Sequence, residues 1–147
     1  TLMPTTEHST FIPQRSMILQ KKNGVYEIDT FEHELIMVIE EGGLLHVFTG
    51  CSHNGVINMA LTVNKEFPSK KIQTLTGGFH LMNPRTGKMT EKEETIRSIA
   101  PMLGELVVSR IYTGHCTGSE ALEILQAALG DKLKPLSTGA VFDTENP

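Results

Sequence analysis

Apolar residues fall in short blocks, and their spacing changes part-way along the chain. The early blocks read as strands joined by tight turns. Met17-Ile18-Leu19 and Val25-Tyr26-Glu27-Ile28 flank Lys22-Asn23-Gly24, and Asn-Gly between strand-like runs is a strong hairpin signal because both residues tolerate positive φ. Leu35 to Ile39, a turn at Glu41-Gly42-Gly43 and a return over Leu44 to Thr49 predict a second hairpin. Helical spacing then sets in. Val56, Ile57, Ala60 and Leu61 predict a helix from Val56 to Phe67, stopped by Pro68. Ile72 to Thr76 predicts a strand, and Asn83-Pro84-Arg85-Thr86-Gly87 a loop. Thr90 with Glu93 forms a capping-box pattern before the stripe Ile96, Ile99, Ala100 and Leu103, in which Pro101 predicts a kink or an early end. Leu106 to Tyr112 predicts a strand. Ser119 predicts the cap of a last helix with Ala121, Leu122, Leu125, Ala128 and Leu129 inward and Gly130 as its stop. Leu133 to Phe142 predicts one or two terminal strands. One domain is predicted over residues 1–147, in which residues 1–16, polar and punctuated by Pro4 and Pro13, form an irregular lead-in to the folded part at 17–147.

Strands alternating with helices predict an α/β fold with parallel strands and right-handed crossovers, and antiparallel hairpins at one edge of a mixed sheet. In such sheets ligands bind at the carboxyl ends of strands. Three predicted strands end in the same way. Val47-Phe48-Thr49-Gly50-Cys51-Ser52-His53-Asn54-Gly55, Thr74-Leu75-Thr76-Gly77-Gly78-Phe79-His80 and Arg110-Ile111-Tyr112-Thr113-Gly114-His115-Cys116-Thr117-Gly118 each place a histidine just after Gly. The repeated ending predicts that His53, His80 and His115 meet at one site. Neutral imidazole is a ligand for Zn and Fe, and three such ligands leave a position open for water or substrate. Helix N–H groups at Gly55-Val56 suit an anionic group such as a phosphate. Asn54, Gly55 and Thr117 are the candidate substrate-binding residues.

A histidine at a strand end is, taken singly, more often a surface hydrogen-bonding residue than a ligand. The shared grammar of three successive endings shifts the balance towards a site. His46, between Leu45 and Val47, reads as structural, His8 as solvated and His33 as a loop residue. Cys51 and Cys116 each sit near a candidate ligand. They read first as small buried packing residues, with a metal thiolate or a redox pair as the rival readings.

Composition narrows the partners. The formal net charge is -4 over 147 residues, which argues against nucleic acid and acidic membranes. No apolar run approaches the ~20 residues that span a bilayer, and no secretory leader pattern opens the sequence. Two cysteines do not make a disulfide scaffold, and a reducing cytoplasm is the expected compartment.

At the three histidine endings the chain resembles the metallo-β-lactamase superfamily, most closely the dihydropterin-methyl-ribofuranosylaminobenzene-phosphate synthase-like branch of metal-dependent hydrolases. The resemblance covers most of the chain, from residue 31 to residue 140. It implies half of an αβ/βα sandwich whose metal site lies between two sheets. It implies that His53 and His115 are metal ligands and that His80 stands where most of the superfamily has a bridging aspartate. A histidine cannot bridge two metals as a carboxylate does, which counts against a standard dinuclear centre. The implied cofactor is a divalent metal, zinc first, with Mn or Fe as alternatives. The implied chemistry is attack by metal-activated water on a phosphate ester or related ester of a small molecule. The superfamily's His-x-His-x-Asp-His signature matches nothing in this sequence, so the chain resembles the C-terminal half. A lone half implies an apolar sheet face covered by a partner chain or a second copy of this one. The alternative reading is a catalytically inactive, truncated or degenerate domain that associates with such a partner.

Overall fold

The computed structural model describes residues 1–14 and 18–141. A six-stranded mixed sheet organises the chain. Its strands are β1 (Leu2–Pro4), β4 (Leu35–Glu41), β5 (Leu44–Phe48), β6 (Ile72–Gly77), β7 (Val107–Thr113) and β8 (Leu133–Pro135), in the order β1-β4-β5-β6-β7-β8. The hairpin β2 (Leu19–Lys22) and β3 (Val25–Ile28) forms a separate two-stranded sheet around the Asn23-Gly24 turn, where both residues adopt positive φ. Helices α1 (Val56–Glu66), α2 (Glu93–Leu106) and α3 (Ser119–Leu129) connect the later strands. The β1–β4 and β4–β5 pairs are antiparallel, and the β5–β6, β6–β7 and β7–β8 pairs are parallel. The expected architecture, hairpins first and parallel alternation afterwards, is the one observed.

The core lies on one face of this sheet. Ile36, Val38, Leu45, Val47, Ile72, Leu75, Val107, Ile111 and Leu133 from the strands pack with Val56, Met59, Val63, Ile96, Leu103 and Leu125 from the helices. Alternation in β4 sends Leu35, Met37 and Ile39 the other way, where they are exposed. Leu2 pairs with Met37 across the β1–β4 ladder and is exposed too. His46 is the opposite of a surface residue. It is buried and its Nδ1 lies 2.9 Å from Thr74 Oγ1 in the neighbouring strand, the structural role its mid-strand position predicts.

Several local expectations are corrected. The lead-in contains a strand: Leu2–Pro4 pairs with the free edge of β4, because that edge offers unpaired backbone groups. Beyond it, Thr6 and Glu7 donate their N–H groups to Thr62 Oγ1, and Thr10 donates to Asn58 Oδ1, so the lead-in is strapped along α1. The Thr90 capping box does not form. Thr90 N–H donates to Leu81 O, holding it in the preceding loop, and α2 starts later, after an extended Lys92. Glu93 pairs instead with Arg97, at 2.6 Å. Pro101 does not end α2 early. It sits on the exposed side, where the carbonyl it leaves unpaired can be hydrated. Ser119 is the first helical residue of α3 rather than its cap, which is Gly118 at φ 76°. Gly130 stops α3 at φ 57°, as expected. One strand, Leu133–Pro135, occupies the terminal apolar run, and Met17 and Phe142 lie outside the described residues.

Candidate metal centre

The three rhyming strand ends lie side by side and are stitched together by backbone bonds. Thr49 N–H donates to Thr76 O and Gly78 N–H to Gly50 O, which continues the β5–β6 pairing past the strands. Leu81 N–H donates to Cys116 O, Phe79 N–H to Thr117 Oγ1, and His80 N–H to Cys116 Sγ at 3.3 Å. The approach is so close that Gly77 and Gly78 cannot carry side chains. A Cβ on Gly77 would overlap the Thr49 hydroxyl, and one on Gly78 would lie 2.5 Å from Cys116 Sγ.

Five ligand-type side chains gather there. The rings of His53 and His80 have centroids 4.1 Å apart. The ligand atoms of Cys51, His115 and Cys116 all lie within 4.8 Å of one another, the one such trio among the described residues. Cys51 joins the two groups: Cys116 Sγ donates to its carbonyl at 3.7 Å, and both Cys116 and His53 act on its thiol. Cys116 first, and His53 after it, hold the Cys51 thiol well below its ordinary range. The same contact and burial push the Cys116 thiol up.

The backbone around these groups is unusual. Ser52, His80 and His115 have φ of 56°, 51° and 51°, the left-handed region that side chains seldom adopt, and so does Phe31 at 56°. Phe31 stacks on His53 with centroids 3.7 Å apart and planes inclined by 13°. The Glu34 carboxylate accepts the backbone N–H groups of His53, at 2.8 Å, and Asn54, at 2.9 Å, and also the Asn54 side-chain amide. Glu34 and Phe31 thus orient the His53 loop. Neither carries a sequence signal, since both reach His53 through the fold.

The candidate substrate-binding residues have internal partners. Asn54 donates to Phe31 O and Glu34, and its carbonyl accepts from Asn58. Thr117 is fully buried, and its hydroxyl pairs with Thr113 Oγ1 at 2.6 Å. Gly55, at φ 89°, lies against the Phe11 carbonyl, so the lead-in covers the start of α1. His33 is an exposed loop residue 3.8 Å from Asp29, and His8 is exposed.

The donor set fits a divalent ion. Two sulfurs and an imidazole at this spacing approach the ~4 Å between donors of a tetrahedral zinc with bonds of ~2.0–2.3 Å. Among the described residues, the buried His53 Nδ1 has no hydrogen-bond partner, which leaves an imidazole nitrogen available to an ion.

No protein-family model matches the chain. It is 31% identical over 122 residues to 7,8-dihydropterin-6-methyl-4-(beta-D-ribofuranosyl)-aminobenzene-5'-phosphate synthase of Methanocaldococcus jannaschii, a match covering 82% of this chain and 39% of that protein. It also superposes, with a TM-score of 0.81 and 28% identity, on the crystal structure of a metal-dependent hydrolase of the β-lactamase superfamily, over 95% of this chain and 51% of that one. The fold is that of the metallo-β-lactamase superfamily. The chain spans about half the length of the solved structure and less of the curated relative. In this chain the helices pack on one face of the sheet, and on the other face Leu35, Met37 and Ile39 of β4 are exposed. Among the described residues, no helix is long and apolar enough to cross a membrane.

Proposed function

We propose that the chain supplies half of the site of a metal-dependent hydrolase that cleaves a phosphate ester or related ester of a small molecule. The observation that carries the reading is the gathering of His53, His80, His115, Cys51 and Cys116 at three adjacent strand ends. His53, His80 and His115 are the proposed ligands of a divalent ion, zinc before Mn or Fe, with Cys51 and Cys116 as further sulfur donors. A bound divalent ion lowers the pKa of its water and makes hydroxide available near neutral pH. Phe31 holds the His53 ring by stacking, and Glu34 fixes its backbone, so the imidazole meets the ion already oriented. The curated relative's name includes a 5'-phosphate, which supports a phosphorylated substrate. Metal analysis of purified protein beside a His53→Ala, His115→Ala double variant tests the reading. The expected result is loss of bound metal in the variant, and equal content would overturn it.

A partner chain carrying the missing motif, or a second copy of this chain, is proposed to cover the face bearing Leu35, Met37 and Ile39, in a reducing compartment such as the cytoplasm. The rival reading, an associating but inactive domain, is favoured by the absence of His-x-His-x-Asp-His from the sequence. An esterase and phosphodiesterase assay with added Zn or Mn separates the two, since turnover contradicts the rival.

A further inference from the structure

A cavity of about 330 Å³ opens beside the histidines, with His80 in its wall. Its size is that of a small-molecule site, at the lower end of the ~300–1,000 Å³ range. Leu19, Met82 and Pro84 give it an apolar side. The opposite chemistry comes from Arg85 and Thr90. Arg85 has no ion pair among the described residues, although acidic side chains outnumber basic ones in the chain. Thr90 Oγ1 is shielded from solvent and has no hydrogen-bond partner among the described residues. A buried hydroxyl without a partner is costly, and a ligand acceptor or donor in this cavity would satisfy it.

The loop that carries Arg85 is built to hold it. Met82 and Met89 form an antiparallel bridge, and Asn83 N–H donates to Lys88 O. Gly87 N–H closes back onto Asn83 O. Asn83 Oδ1 accepts the N–H groups of Arg85, at 2.9 Å, and Thr86, at 3.3 Å. Arg85 therefore stands at the tip of a small braced hairpin, which lowers the entropy lost when it grips a ligand. A guanidinium fork matches the paired oxygens of a phosphate or carboxylate, and an unpaired one beside an apolar wall selects an oxyanion attached to an apolar body.

We propose that this cavity is the specificity pocket for an oxyanion-bearing small molecule, with Arg85 holding a phosphate or carboxylate remote from the reacting bond and the apolar wall holding the body. The proposal rests on the reading of His80 as part of the reaction site. Arg85 is a positioning residue in it.

The test is calorimetric titration of the full chain with phenyl phosphate, benzoate and phenol, in metal-loaded and EDTA-treated protein. The EDTA arm removes direct binding of the anions to a metal. Phenyl phosphate favoured over benzoate identifies a phosphate site, and the reverse a carboxylate site. Arg85→Gln is expected to weaken the preferred anion about tenfold or more in both arms, the effect of one charge-assisted contact. Phenol binding, metal content and unfolding midpoint should stay at wild-type values, and Arg85→Lys should recover part of the affinity. Equal anion affinity in wild type and Arg85→Gln, or no anion binding in the EDTA arm, would overturn the pocket while leaving the metal reading standing. Arg85-dependent binding in protein that never retains metal would do the reverse.

Discussion

Replacing Glu34 with Gln removes one oxygen acceptor and changes almost no volume. In the wild type one carboxylate oxygen accepts the His53 N–H, and the other accepts the Asn54 N–H and the Asn54 side-chain amide. Gln keeps a single acceptor oxygen. Placed towards Asn54 it preserves two bonds, but its NH₂ then faces the His53 N–H, donor against donor. One hydrogen bond to a charged acceptor is worth about 1.5–3 kcal/mol, and a buried donor left unpaired costs about 1–3 kcal/mol. His53 is half-buried and water relieves part of this, so the expected loss is about 3 kcal/mol. In a domain of this size that lowers Tm by about 2–4 °C per kcal/mol. The His53 loop relaxes as well, and loss of an orienting partner typically weakens metal affinity about 10–100-fold. Urea unfolding of the metal-free protein measures the first effect, and competition with a chromogenic zinc chelator measures the second. A Glu34→Gln protein within about 0.5 kcal/mol of wild type, with unchanged zinc affinity, would refute the claim that Glu34 holds this loop.

Three further predictions follow from the same geometry. Thr74→Val strips the buried His46 Nδ1 of its partner and should lower stability by about 1–3 kcal/mol in urea unfolding while leaving zinc affinity alone; altered zinc affinity would contradict the structural role of His46. Gly78→Ala puts a methyl against Cys116 Sγ and should cost about 1–3 kcal/mol and weaken zinc binding, both read by the assays above; a neutral result would mean that the strand ends are not so closely packed. A Met37→Glu, Ile39→Glu variant should lose self-association or partner binding in sedimentation velocity with its fold intact by circular dichroism, and unchanged association would move the interface elsewhere.

The layout of the sheet and the meeting of the three endings could be read from the chain because they rest on local signals. Asn23-Gly24, the stripe in α2, Gly130 and the Thr-Gly endings each fix their own neighbourhood. What escaped depends on contacts between residues far apart in sequence. β1 exists because β4 has an open edge, and α1 keeps buried Asn58 and Thr62 because the lead-in supplies partners for them. Thr90 showed a capping pattern, but the Leu81 carbonyl competes for it. At the site, Phe31 and Glu34 approach His53 only through the folding of the loop before β4. The cysteines could have been weighed higher, since one lies two residues before His53 and the other directly after His115.

The left-handed backbone at His80 and His115 sets a limit on how this domain can be improved. Each such residue costs of order 1–3 kcal/mol, whereas glycine adopts the same conformation freely. The stabilising exchange at either position is thus the one that discards the imidazole. Selection for thermal robustness alone would drift towards a sturdier domain with an emptied site, a trade of robustness against chemistry.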